Sequence, residues 1–238
     1  MEFKYETLQT CSQATGMVVV IDVIRAFTTA AFAFAAGANS ITLVSTVEEA
    51  IRLRDQIPNA LVMGEVMGLP PEGFDFGNSP VAFLGVDLNN YNLIQRTSAG
   101  TQGVVNSSNA ETMLASSFCC AQATVDYIKN VSPKSVSFVI TGLGPDGRGE
   151  EDLACAEYLE ALLKDLNPSS DSYLKRVTES MAGQFYLDPE NTMFRKDIEC
   201  CIDIDRFNFA LEISREDDRL VMIPAKYSKI SDKLMTKL

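Results

Sequence analysis

The chain is 238 residues long, 46% apolar and 22% charged, and carries a net charge of −12 with no histidine. That length can bury a proper core as one large domain or two small ones, while the acidic balance argues against nucleic-acid and anionic-membrane partners, which need a basic surface. Without histidine, Ser-His-Asp and Cys-His pairs, phosphohistidine chemistry and His-ligated zinc are excluded, and any metal must sit on oxygen, which favours Mg²⁺ or a relative.

Met17 to Asp22 is an unbroken apolar run ending in a carboxylate, the pattern of a strand buried on both faces in a parallel sheet. Phe27 to Ala36 reads as a small-residue helix closed by Gly37. The apolar stretch Ala26 to Ala38 around it is shorter than the roughly 20 residues a bilayer span needs, so no membrane partner is expected. Ser40 to Val44 is a second strand, Thr46 with Glu48 and Glu49 caps a helix to about Gln56, and Ala60 to Met63 is a third strand. This β-α-β-α-β alternation predicts a three-layer α/β/α fold with a mostly parallel central sheet and right-handed crossovers. The loop that follows, Gly64 to Pro80, reads GEVMGLPPEGFDFGNSP, with four glycines, three prolines and three carboxylates. It cannot be a regular helix or an interior strand. Phe74 and Phe76 offer it apolar anchors, so a packed connection and a functional loop are the readings left open.

Beyond Pro80 come a short helical segment, a strand at Leu93 to Arg96, a small polar turn at Thr97 to Thr101 and a weak strand at Met113 to Ser116. A helix over Ala121 to Lys129, a clear strand over Val136 to Thr141 and a loop from Gly142 to Gly149 follow. Glu150 to Leu166 is the best helix, with Leu153, Ala156, Leu159 and Leu163 on one stripe. After Asn167 the pattern changes to two helical stretches, near Asp171 to Met181 and Thr192 to Cys201. Phe209 to Ile213 and Leu220 to Ile223 flank Glu216-Asp-Asp218 as an antiparallel hairpin. We therefore expect a main α/β domain over 1–166 and a C-terminal helical and hairpin portion over 167–238 packed on the same domain. The cysteines, Cys11, Cys119, Cys120, Cys155, Cys200 and Cys201, show no CxxC spacing. They read as small buried hydrophobes of a reducing, cytoplasmic protein, and no leader segment is expected.

Open α/β sheets bind ligands at the carboxyl ends of their strands. Five such ends carry polar, non-periodic residues: Asp22 to Arg25, Gly64-Glu65, Gly77-Asn78-Ser79, Arg96 to Thr101, and Gly142 through Asp152. Asp22 ends a buried strand with Arg25 one turn on, a pair that suits a structural role and a functional one equally. Gly142-Leu-Gly144-Pro-Asp-Gly147 formally matches GxGxxG. Pro145 removes an N–H from that turn and Glu150, Glu151 and Asp152 put negative charge at the helix start, so a dinucleotide site is rejected. Those acids suit either the helix dipole or a metal held by oxygen.

Taken together, Asp22-Val-Ile-Arg25-Ala26 with Thr28-Thr29, Gly64-Glu65, Gly73-Phe-Asp-Phe-Gly-Asn-Ser-Pro80, Gly100-Thr101, and Glu151-Asp152 with Cys155-Ala156 resemble the 2-phosphosulfolactate phosphatase (ComB) family over most of the chain. The resemblance implies an α/β/α fold and a Mg²⁺-dependent phosphatase acting on 2-phosphosulfolactate, a step in coenzyme M biosynthesis, or on a related small phosphorylated 2-hydroxy acid. It implies that Asp22, Glu65, Glu151 and Asp152 face the metal, with Asp22, Arg25 and Glu65 catalytic and Arg25 clamping the phosphoryl group. Gly77, Asn78, Ser79, Arg96, Gly100 and Thr101 would contact the substrate. Val66 and Ala99 stand where many members carry Arg and Asn. The other expectation is therefore a non-catalytic protein that binds a small anion on the same scaffold. Either leaves room for a homodimer.

Overall fold

The computed structural model describes residues 1–142, 149–191 and 194–226. The glycine turn beyond Gly142 and the expected helix start at Thr192 lie outside the described residues. The elements in chain order are β1 (Glu2–Thr7), β2 (Gly16–Ile21), α1 (Ala26–Ala35), β3 (Ser40–Leu43), α2 (Val47–Arg54), β4 (Ala60–Gly64), β5 (Asn92–Arg96), α3 (Gly100–Asn106), β6 (Ala110–Ser116), α4 (Ala121–Val131), β7 (Ser135–Ile140), α5 (Glu150–Leu163), α6 (Asp171–Glu179), α7 (Met181–Leu187), α8 (Arg195–Cys201), β8 (Ala210–Glu216) and β9 (Arg219–Ala225), with a short 3₁₀ turn at Pro80–Phe83.

The nine strands among the described residues form one mixed sheet in the order β1-β7-β2-β6-β8-β9-β3-β5-β4. Two parallel blocks, β1-β7-β2-β6 and β3-β5-β4, are joined by the antiparallel hairpin β8–β9, which fills the middle of the sheet. The hairpin turn has φ > 0 at both Asp217 and Asp218, the backbone of a two-residue turn whose twist matches that of its strands.

Three antiparallel pairings in succession reverse the direction of one block relative to the other. Strand twist then matters. Five steps separate β2 from β5, and at roughly 20–25° per step they rotate β5 by about 100° or more. Reversal and rotation together bring the carboxyl ends of β2, β4 and β5 to one place, where the site lies.

The core follows from period-two alternation on these strands. Val18 and Val20 of β2, Ile41 and Leu43 of β3, Leu93 of β5 and Met222 of β9 face α1 and Val104 of α3 on one side of the sheet. Val19 and Ile21 face α4 and α5 on the other side, and Val62 and Ile94 pack on Ala50 and Leu53 of α2. The result is the expected three-layer α/β/α arrangement with a C-terminal antiparallel hairpin. Every residue of α1 from Ala26 to Phe34 is buried, so the most apolar stretch of the chain is the central core helix, apolar on all sides because it meets protein on all sides. No helix among the described residues is long and apolar enough to cross a membrane.

Several boundaries differ from the sequence reading. Strand β1 carries no clear signal in the sequence, because Glu2, Lys4 and Glu6 make it an edge strand that buries little beyond Phe3 against Phe138. The polar turn at Thr97 to Thr101 runs into α3, whose glycine content hides a helix. The helix over 171–181 breaks at Ser180, which caps α7 through its hydroxyl. The glycine- and proline-rich loop is a packed structure: Asp75 accepts from the Val62 amide at 2.7 Å and from Arg54 at 2.8 Å, and the Phe76 and Phe83 rings lie 4.9 Å apart. Thr46 caps α2 by accepting from the Glu49 amide at 3.1 Å, as expected. All six cysteines are free thiols, and all but Cys200 are buried.

Candidate active site

Asp22 follows directly on β2 and is almost fully buried. Its Oδ1 accepts from the Ala26 amide at 3.0 Å, closing the first turn of α1. A Cβ on Gly100 would lie 2.8 Å from its Oδ2, so the start of α3 presses against this carboxylate. From the neighbouring strand end, Asp152 of α5 accepts from the Val23 amide (2.7 Å) and the Gly142 amide (2.8 Å). It thereby ties the loop after β2 to the loop after β7. Beside it Glu151 is buried, and its Oε2 has no hydrogen-bond partner among the described residues. These acids burden one another. Burial, then Glu65 and Glu151, push the Asp22 carboxyl up to about 6. Burial, then Glu151 and Asp22, hold Asp152 well above the usual carboxylate range. Burial, with Glu150 adding to it, raises Glu151. Glu150 itself turns outward to pair with Arg176 at 2.6 Å.

The ends of β4 and β5 are built as a brace. Gly64 has φ 135°, and a Cβ there would sit 1.8 Å from the Arg96 carbonyl oxygen, so no other residue fits this approach. Glu65 then accepts from the Ser98 and Gly68 amides, each at 2.6 Å, and from the Ser98 hydroxyl at 3.1 Å. Arg96 donates to the carbonyls of Glu65 (2.8 Å) and Ser45 (3.3 Å). Thr97 and Thr101 bond reciprocally: the Thr97 amide donates to Thr101 Oγ1 at 2.8 Å and the Thr101 amide to Thr97 Oγ1 at 3.0 Å. Glu65 lies close enough to raise the Asp22 pKa. The side chains of Arg96 and Thr101 hold the loop through these bonds.

A third group gathers at Arg25, which is buried. Its Nη1 donates to Asp197 Oδ2 of α8 at 2.5 Å. Its Cζ stands over the rings of Tyr186 and Phe194, 4.7 Å from each centroid. The other oxygen of Asp197 accepts from the Ser79 hydroxyl at 2.6 Å, which commits the hydroxyl proton to Asp197. Asn78 is buried next to it in sequence, with Oδ1 unpaired among the described residues, and a Cβ on Gly77 would meet Pro70 at ordinary contact distance. The Tyr186 hydroxyl is raised by burial and pulled back by Arg25, and it also feels Glu65 and Asp22. The arginine, the acids and Tyr186 therefore lie close to one another.

Sequence reading missed Asp197, Tyr186 and Phe194. One signal was available for the first: Asp197 shares a helix face with Cys201, one turn on, and an acid on an apolar face needs a partner. The aromatic pair carried none.

A buried cluster of acids, a buried arginine and Gly-rich turns thus meet at convergent strand ends of an α/β scaffold, the place where open α/β sheets bind ligands. The profile of the family described as 2-phosphosulpholactate phosphatase matches residues 3–216, and the chain belongs to that family of phosphoric monoester hydrolases. Relatives named "Probable 2-phosphosulfolactate phosphatase" include a Bacillus subtilis protein, 31% identical over 84% of this chain and 88% of its own length. One from Carboxydothermus hydrogenoformans is 33% identical over 86% and 89%. One from Thermotoga petrophila is 30% identical over 79% and 85%. These matches favour the catalytic expectation over a non-catalytic anion binder.

Proposed function

We propose that the protein hydrolyses the phosphate ester of a small 2-hydroxy acid, with 2-phosphosulfolactate the leading candidate, in the presence of Mg²⁺. The observation that carries the reading is the pairing of a buried arginine, whose Nε has no partner among the described residues, with a nearby cluster of mutually repelling carboxylates. The arginine suits phosphoryl oxygens. The carboxylates suit a divalent cation, and the donor set fits one: Glu151 Oε2 is buried and unpaired among the described residues, while Asp22 is pushed towards its neutral form by burial and by neighbouring negative charges that a cation would offset. Among the described residues no three acids or thiols converge as a ready-made cage. Mg²⁺ is commonly held by only one or two carboxylates together with substrate phosphate.

In this reading Asp22 and Glu151 hold the cation, and Asp152 and Glu65 fix the two loops around it. A bound cation neutralises charge on the phosphoryl oxygens, a Lewis-acid role. Arg25 orients the phosphoryl group, and the amides of the Gly77-Asn78-Ser79 turn offer further donors. Phosphoryl transfer to water asks the protein mainly for positioning and charge compensation: the P–O ester bond breaks, the phosphorus takes the water oxygen, and a proton reaches the departing alkoxide. Six free thiols suit a reducing, cytoplasmic setting.

A phosphate-release screen over phosphosulfolactate, phospholactate, phosphoglycolate and phosphoglycerate, with Mg²⁺ or excess EDTA, tests the proposal. Turnover of at least one substrate that requires Mg²⁺ is expected. No release from any of them, or full release in EDTA, would overturn it.

A further inference from the structure

Asp197 is a buried acid on α8 that meets Arg25 and Ser79 at once, and it comes from a segment 172 residues away from the arginine. A buried ion pair is a weak source of stability, because desolvation consumes much of the attraction. Orientation is what such a pair supplies. Asp197 occupies Nη1 of the guanidinium, Tyr186 and Phe194 flank it, and Nε is left buried without a partner among the described residues. The same carboxylate, through Oδ1, anchors the Asn78-Ser79 turn at 2.6 Å.

We propose that Asp197 is a positioning residue for anion recognition. By holding Nη1 and the Ser79 hydroxyl together, it turns the Nε edge of Arg25, and the turn beside it, towards the phosphoryl group. The inference rests on the reading of Arg25 as the phosphoryl clamp.

Inorganic phosphate is the probe, its Kd measured by calorimetry on the Mg²⁺-loaded protein, alongside KM and kcat for a substrate from the release screen. Asp197→Ala is expected to weaken phosphate binding and raise KM about tenfold or more, with a smaller change in kcat. Asp197→Asn keeps an acceptor for Nη1 and should weaken binding only about threefold. In an Arg25→Lys background there is no planar fork to orient, so adding Asp197→Ala should change the phosphate Kd less than twofold. A purely structural acid would lower the melting temperature in both backgrounds and leave Kd and KM of the folded protein unchanged. That result overturns the inference, as would tighter phosphate binding by Asp197→Ala or no phosphate binding by the wild type. If Asp197→Ala does not fold, a wild-type Kd in Asp197→Asn overturns it instead. Absence of turnover with phosphate binding intact would remove the phosphatase reading alone, and the Kd comparison would still decide the role of Asp197.

Discussion

Gly100 and Asp22, on different strand ends, approach so closely that a methyl group on Gly100 would lie 2.8 Å from Asp22 Oδ2 and 2.7 Å from the Ala26 Cβ. Neither neighbour is the free end of a flexible side chain. Gly100→Ala must therefore shift the start of α3 or turn Asp22 out of the site. We expect kcat/KM to fall at least tenfold while the fold survives, to be checked by kinetics beside circular dichroism. Wild-type kinetics would show that the contact between the two loops has no bearing on catalysis.

Adjacent acids on α5 should behave differently. Glu151→Gln removes a buried, unpaired oxygen and should weaken Mg²⁺ binding by tenfold or more. Glu150→Gln only loosens a half-exposed contact with Arg176, a kind of pair worth at most about 1 kcal/mol, and should leave Mg²⁺ affinity within twofold. Titration of activity against Mg²⁺ after EDTA treatment reads both, and equal effects would refute the assignment.

The pH dependence follows from Asp22. Its folded-state pKa, about 6, lies above the usual 3.8 because of burial, Glu65 and Glu151. The folded protein thus holds this proton more tightly than the unfolded chain does, so stability from this group is greatest at low pH and falls as pH rises from about 4 to about 6. The loss is on the order of 3 kcal/mol. Glu151 and Asp152 shift in the same direction. A cation bound to the ionised form compensates, so Mg²⁺ should raise the melting temperature more at pH 7.5 than at pH 5. An equal shift at both values would contradict the carboxylate cluster.

Removing residues 217–238 deletes β9, which joins the hairpin to β3 and so links the two blocks of the sheet. The truncated chain should be insoluble or lack a cooperative melting transition. A soluble, cooperatively folded product would mean that β8 can pair with β3 directly.

The thiols should be bystanders. Burial, then Asp152, holds Cys155 well above the ordinary thiol range, and a nucleophilic sulfur must be a thiolate. Cys155→Ala should keep kcat within about twofold in a phosphate-release assay. Loss of turnover in a folded, Mg²⁺-binding variant would mean that sulfur, and not water, attacks the phosphorus.

Much of this was legible locally. The run Met17 to Asp22 was a buried parallel strand, the small residues after Ala26 were a core helix, and the acids and glycines at Asp22, Glu65, Gly100 and Asp152 did mark the strand ends that meet. Absence of histidine by itself limited a metal to oxygen donors. These features are visible because period, chain reversal and side-chain chemistry are properties of short segments. Tertiary structure alone decided the rest. The C-terminal hairpin sits mid-sheet, and only that insertion, with accumulated twist, makes carboxyl ends from opposed blocks converge. Arg25 finds Asp197 across 172 residues, and the upward shift of Asp22 arises from acids on β4's exit and α5. Pairing, burial and mutual charge are set by what lies adjacent in space, and no local pattern in the chain encodes those neighbours.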